Sequence, residues 1–137
     1  MKTSEVLTKA ADAVEREGWR TGHGGWGGEG GLCLEGAIAA AAGIEWGVNV
    51  ETGKPLPPIF AVNRCPAGQA VREYLGLGAL DSHPTTGNAL WRWNDAPHRN
   101  AIEVIATLRA AAVIEAAREQ QPTDSFHRSL DRALAAS

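Results

Sequence analysis

Apolar residues recur at helical spacing from the first residues of the chain. Val6, Leu7, Ala10, Ala11 and Val14 share one face, and Lys9, Asp12, Glu15 and Arg16 lie mostly on the other. This predicts a helix over 3–17. Thr3 or Ser4 stands as its cap, Glu5 suits the positive dipole end, Gly18 suits a left-handed stop, and Trp19 follows as an apolar lock. From Arg20 to Gly31 the periodicity vanishes: seven of these twelve residues are Gly, so no regular helix persists. Leu32 to Ala42 is apolar nearly all round, with Glu35 its only charge, and Gly43 follows. Such a helix belongs in the middle of a bundle. Between Trp46 and Gly53 the pattern is compatible with a short strand or hairpin.

Further on, Ile59 to Asn63 reads as a short helical piece. Pro66 opens another helix, with Ala67, Ala70, Val71, Tyr74 and Leu75 as its buried face and Gly76 as its stop. A turn-rich run, 77–87, leads to a helical piece over 88–93, which Pro97 limits. Asn100 with Glu103 forms a variant capping box for a long helix to about residue 120. Its inner stripe is expected to be Ile102, Ile105, Leu108, Ala112 and Val113, flanked by Val104 and Ile114. Pro122 stops it. Thr123 or Asp124 then caps a last helix with Phe126, Leu130 and Leu134 spaced by four. The expected fold is therefore mainly α: a single compact domain, 1–137, of four to five helices around the buried Ala-rich helix. A Gly-rich loop and a short hairpin complete it.

Composition narrows the functions. At 137 residues the chain suits one domain with a core that needs no metal or disulfide staple. A net charge of -3 without a Lys/Arg run argues against a nucleic-acid partner. No apolar stretch reaches the roughly 20 residues that span a bilayer, and Met1 to Glu5 reads as the start of a helix, not a signal peptide. The expectation is a cytoplasmic protein. In that compartment Cys33 and Cys65 are expected to be free thiols.

The densest chemistry lies in Trp91-Arg92-Trp93-Asn94-Asp95-Ala96-Pro97-His98-Arg99-Asn100. Cys33 stands near a helix start, where the dipole can stabilise a thiolate. With His23, His83 or His98 as base and Asn94 or Asp95 as orienter, it could serve a small hydrolase or transferase; the set favoured for an enzyme is Cys33, His98 and Asp95. No local nucleophile signature accompanies Cys33, and a free Cys among Leu and Ala is ordinarily a small buried hydrophobe. A carboxylate pair for glycoside chemistry has no specific signal, Glu35 and Asp95 being the only suggestive acids. Cys33, Cys65, His23, His83, His98 and Asp95 show no metal-ligand spacing, so no metal is assigned. The Gly loop lacks the phosphate-cradle motif and holds no Lys, so no nucleotide or other cofactor is assigned. Asn94, Asp95, Pro97, Asn100 and Glu103 read best as a structural turn, with an Asx turn before Pro97 and Arg99 pairing with Asp95. Trp26, Trp91 and Trp93 are candidate partner anchors, because Trp is enriched at interface hot spots.

Three blocks now stand in order. They are Lys9 to Trp19, ending in Gly-Trp; Cys33-Leu34-Glu35-Gly36-Ala37-Ile38; and Trp93-Asn94-Asp95-Ala96-Pro97 with Glu103 to Arg109. Together they resemble a family of small uncharacterised proteins from actinobacteria and their phages, over roughly 3–118. The resemblance implies no activity. It implies a small residue such as Gly after Pro97, where this chain has His98, and it leaves 123–136 as a C-terminal helical extension. The expected function is an accessory protein that acts without catalysis by binding a protein partner, host or self. A homodimer is compatible with the thin Ala/Gly helix. A cysteine enzyme and a small-ligand-binding protein are the alternatives, the latter with a pocket near Trp26, Asp95 and His98.

Overall fold

The computed structural model describes residues 1–22, 30–78 and 89–121. Expectations placed on His23, Trp26, His83, Phe126, Leu130 and Leu134 lie outside these residues. Six helices and one hairpin are present among the described residues, against the four to five helices expected of the whole chain. In chain order they are α1 (Thr3–Glu17), α2 (Leu34–Ala42), β1 (Gly47–Val48), β2 (Pro55–Leu56), α3 (Ile59–Arg64), α4 (Pro66–Leu75), α5 (Ala89–Asn94) and α6 (Ala101–Glu119). The strands pair antiparallel, Gly47 opposite Leu56 and Val48 opposite Pro55.

The most extensive packing joins α1 to α6, followed by α1 to α2; α2 also meets α3, α4 and α5. The Ala-rich helix is thus central, as its composition implies, but burial on all sides ends at Ala39, and Ala40 is exposed. It also starts later than its pattern suggests. Leu32 instead forms an isolated bridge with Trp19, with Leu32 N–H donating to the Gly18 carbonyl and Arg20 N–H to the Leu32 carbonyl. This bridge draws Gly31 against the backbone at Gly18. A Cβ on Gly31 would stand 2.8 Å from the Gly18 carbonyl, and φ there is +117°. Only Gly fits such an approach.

Two helix-level expectations are corrected. The first concerns the cap of α1. Lys2 takes the cap position without a side-chain bond. Ser4 turns to α6 instead, its N–H donating to Glu119 Oε1 at 3.0 Å and its hydroxyl to Oε2 at 2.5 Å. A carboxylate from a distant helix end meets the orphan donors there, where the dipole favours a negative charge. Gly18 is also extended in ψ, not a left-handed stop.

The second correction concerns α6. Its inner face is Val104, Thr107, Leu108, Ala111 and Ala112. Ile102 is 78 % exposed and Val113 70 %. Because α6 is apolar on nearly every side, its periodicity does not single out one stripe. The choice falls to the thin Ala residues, which let α6 sit close against Ala10 and Ala11 of α1.

Candidate functional site

Behind the Trp91 to Asn100 stretch lies a polar cluster that ties three distant segments together. Its centre is Asn94, the last residue of α5 and fully buried. Asn94 Oδ1 accepts from the Trp19 indole N–H at 2.7 Å and from Leu34 N–H at 3.0 Å. Its Nδ2 donates to the Arg20 carbonyl at 3.3 Å and to Asp95 Oδ1 at 2.9 Å. Asp95 also accepts from Gly22 N–H, at 3.1 and 3.2 Å, and from the Trp91 indole at 2.6 Å. The Asx turn expected of these residues gives way to long-range bonds, since the partners lie 60 to 75 positions away. Trp19, expected as a purely apolar lock, acts here as a donor.

Arg99 does not reach for Asp95. Its Nε donates to the Trp93 carbonyl at 2.9 Å, its guanidinium lies 3.8 Å from the Trp93 ring centre, and its Nη1 pairs with Glu103 at 2.6 Å. Trp93 packs against the core, which leaves its face to Arg99. Asn100 caps α6 by accepting Glu103 N–H at 2.9 Å and donating to Glu103 Oε1 at 3.1 Å. Between them, past Pro97, His98 has φ +67°, the left-handed conformation that Gly adopts without cost. That geometry is a backbone reason for a Gly at this position.

Cys33 is the cap of α2, its Sγ accepting Gly36 N–H at 3.2 Å. It is only 1 % exposed. Burial pushes its thiol up to about 12. The Gly36 bond opposes the shift, and the negative charges of Glu35 and Asp95 add to it. Desolvation therefore outweighs the helix dipole, and no thiolate forms at neutral pH. Cys65 is half-buried and caps α4, accepting Gly68 N–H at 3.4 Å and donating to the Val62 carbonyl at 3.1 Å.

In the first turn of α2, the Glu35 carboxylate is buried. Asn63 Nδ2 donates to its Oε2 at 2.5 Å and to the Ile59 carbonyl at 2.8 Å. Arg72 Nη1 reaches Asn63 Oδ1 at 3.4 Å, and its Nη2 donates to the Gly78 carbonyl at 3.0 Å. Burial pushes Glu35 up from its ordinary 4.5 to about 7; the Asn63 bond and the Arg72 charge oppose it, and the Asp95 charge reinforces it. The sequence pattern points to neither Asn63 nor Arg72. Asn63 ends a short apolar run, and Arg72 looks like a cation placed for a helix C-terminus. No three His, Cys, Asp or Glu among the described residues form a metal-binding group. No described helix is long and apolar enough to cross a membrane.

Fold and cluster together define a mainly helical protein whose most polar residues brace its own chain. The chain belongs to a family of unknown function, DUF6197, whose pattern matches residues 1–114. No curated protein and no solved structure matches it.

Proposed function

We propose that this is a small accessory protein, of phage or actinobacterial origin, that acts without catalysis by binding a protein partner, host or self. The reading rests on one surface feature, the hairpin arm and the helix after it. Trp46, Val48, Val50, Leu56 and Phe60 fall within fifteen residues, and all are exposed, Val48 at 63 % and Val50 at 96 %. Trp46 and Val48 flank Gly47 at the first strand, and Val50 stands in the turn that follows it. Clustered large apolar side chains at a surface mark interaction sites more often than inert surface. Origin in actinobacteria or their phages is supported by the ordered Gly-Trp, Cys-Leu-Glu-Gly-Ala and Trp-Asn-Asp-Ala-Pro blocks.

The competing enzyme reading would use Cys33, His98 and Asp95. It has little support from a sealed thiol and from an Asp95 held by Gly22, Trp91 and Asn94. The test compares the natural chain with a Trp46→Ser, Val48→Ser, Leu56→Ser variant as bait. The expected result is one protein retained by the first and lost by the second, with unchanged circular dichroism. Equal retention by both, or turnover of a small substrate with nothing retained, overturns the proposal.

A further inference from the structure

Among the described residues β1 and β2 form a two-stranded sheet, so each strand has an outer edge, and the two edges differ. Asn49 N–H donates across the strands to the Lys54 carbonyl at 2.9 Å. Gly47 stands opposite Leu56, and Val48 opposite Pro55. Bonded and non-bonded pairs alternate along an antiparallel ladder, and Pro55 has no N–H to exchange with Val48. Gly47 and Asn49 therefore turn their backbone groups inward to β2. The N–H and C=O of Val48 point outward.

On β2 the corresponding outward positions fall on Pro55 and, two residues on, Pro57. Neither has an N–H, and their rings obstruct an approaching strand; natural sheets close an edge in this way. The Pro57 carbonyl accepts Ile59 N–H at 2.9 Å. No proline interrupts the sequence from Ile44 to Val50. The hairpin is thus closed along β2 and open along β1.

The chemistry of the open edge says what fits it. An outward N–H and C=O on one residue match the backbone of another extended chain. The flanking side chains are apolar and exposed on both faces. Val48 and Pro55 share one face, and Leu56 lies on the other, where a Cβ on Gly47 would come within 3.8 Å of Leu56 Cβ. Glu45 and Glu51 are exposed on either side of β1, whereas Lys54, across from Asn49, is the only cation in the sequence from 44 to 60. A second copy of the chain would bring the same carboxylates to the seam, and like charges facing each other across strands repel. A basic segment meets opposite charge at both ends.

We propose that β1 takes an extended segment of the partner protein as a third strand, with apolar residues at alternate positions between Lys or Arg. The proposal rests on the binding reading above and names the chemistry of the partner.

The test is selection of a random short-peptide display library on the full chain. Enriched peptides are expected to alternate apolar and polar residues, to carry Lys or Arg towards their ends and to lack internal proline. Val48→Pro removes the outward N–H and spares the inward bonds of Gly47 and Asn49. It should weaken the best peptide about tenfold. Methylating the peptide's backbone nitrogens one at a time needs no variant, and it should weaken binding at alternate positions only. No enrichment, enrichment of acidic or proline-rich peptides, or methylation without an alternating effect overturns the proposal. Equal binding of the peptide by Val48→Pro overturns it too. If the Trp46→Ser, Val48→Ser, Leu56→Ser variant loses that same peptide, the partner-binding reading stands without strand addition.

Discussion

Asn94 uses all of its hydrogen-bonding capacity within the fold, and every partner but Asp95 is far off in the chain. Truncating it leaves the Leu34 N–H and the Trp19 indole N–H without their acceptor. Each unsatisfied buried donor costs about 1–3 kcal/mol. Asn94→Ala should therefore destabilise the protein by about 2–4 kcal/mol, read as a lower urea midpoint at unchanged slope. An unchanged midpoint would remove Asn94 from the role of clasp. Glu35 makes the complementary case of a buried acid. Its folded pKa lies above its ordinary value, so the folded state binds the proton more tightly. The associated stability is fully present below pH 4.5 and is lost as pH rises through about 7. The loss is of the order of 3 kcal/mol by linkage. Glu35→Gln should flatten that part of the pH profile and make the variant the more stable form at pH 8. Parallel profiles for the two proteins would contradict this assignment.

At the scale of elements, the sharpest constraint is the corner between α3 and α4. Cys65 caps α4 and also bonds back to the Val62 carbonyl, folding the two helices tightly on each other. A Cβ on Gly68 would stand 1.9 Å from the Val62 carbonyl oxygen, a clash with backbone that cannot swing away. Gly68→Ala should cost about 3 kcal/mol, at the upper end of the usual overpacking penalty, despite alanine's better helix propensity. Thermal melting measures it, and a raised melting temperature would show that the corner relaxes. Exposed ion pairs work at the same scale with less effect. Arg109 reaches Asp12 and Glu15 on α1, and Arg118 reaches Glu73 on α4. Pairs this open to water add little to stability. They align α6 with its neighbours more than they hold it.

At the scale of the whole molecule, local patterning and long-range packing divide the explanation cleanly. Helix identity was legible wherever a single rule governed a segment. Apolar periodicity marked α1, proline at the first turn marked α4, and Asn100 with Glu103 marked the start of α6. The residues of the cluster were half legible. Cys33, Glu35, Asn94 and Asp95 stood out by chemistry, whereas Asn63 and Arg72 did not, because their neighbours in space are remote in sequence. Trp91 to Asn100, which has the composition of a catalytic turn, is bound up in bracing. Asn94 joins α5 to α2 and to the bridge after α1, and Arg99 stacks on Trp93. By itself the sequence determined a helical class, the starts of α4 and α6, and an acidic balance of charge. Those are properties of neighbours along the chain, set by backbone sterics and local hydrogen bonding. Only the tertiary structure decided which face of α6 is inside, that the Cys33 thiol is sealed and neutral, and that Asn94 is a clasp. Each depends on which surfaces exclude water from which atoms, and that is settled when helices far apart in the chain pack together.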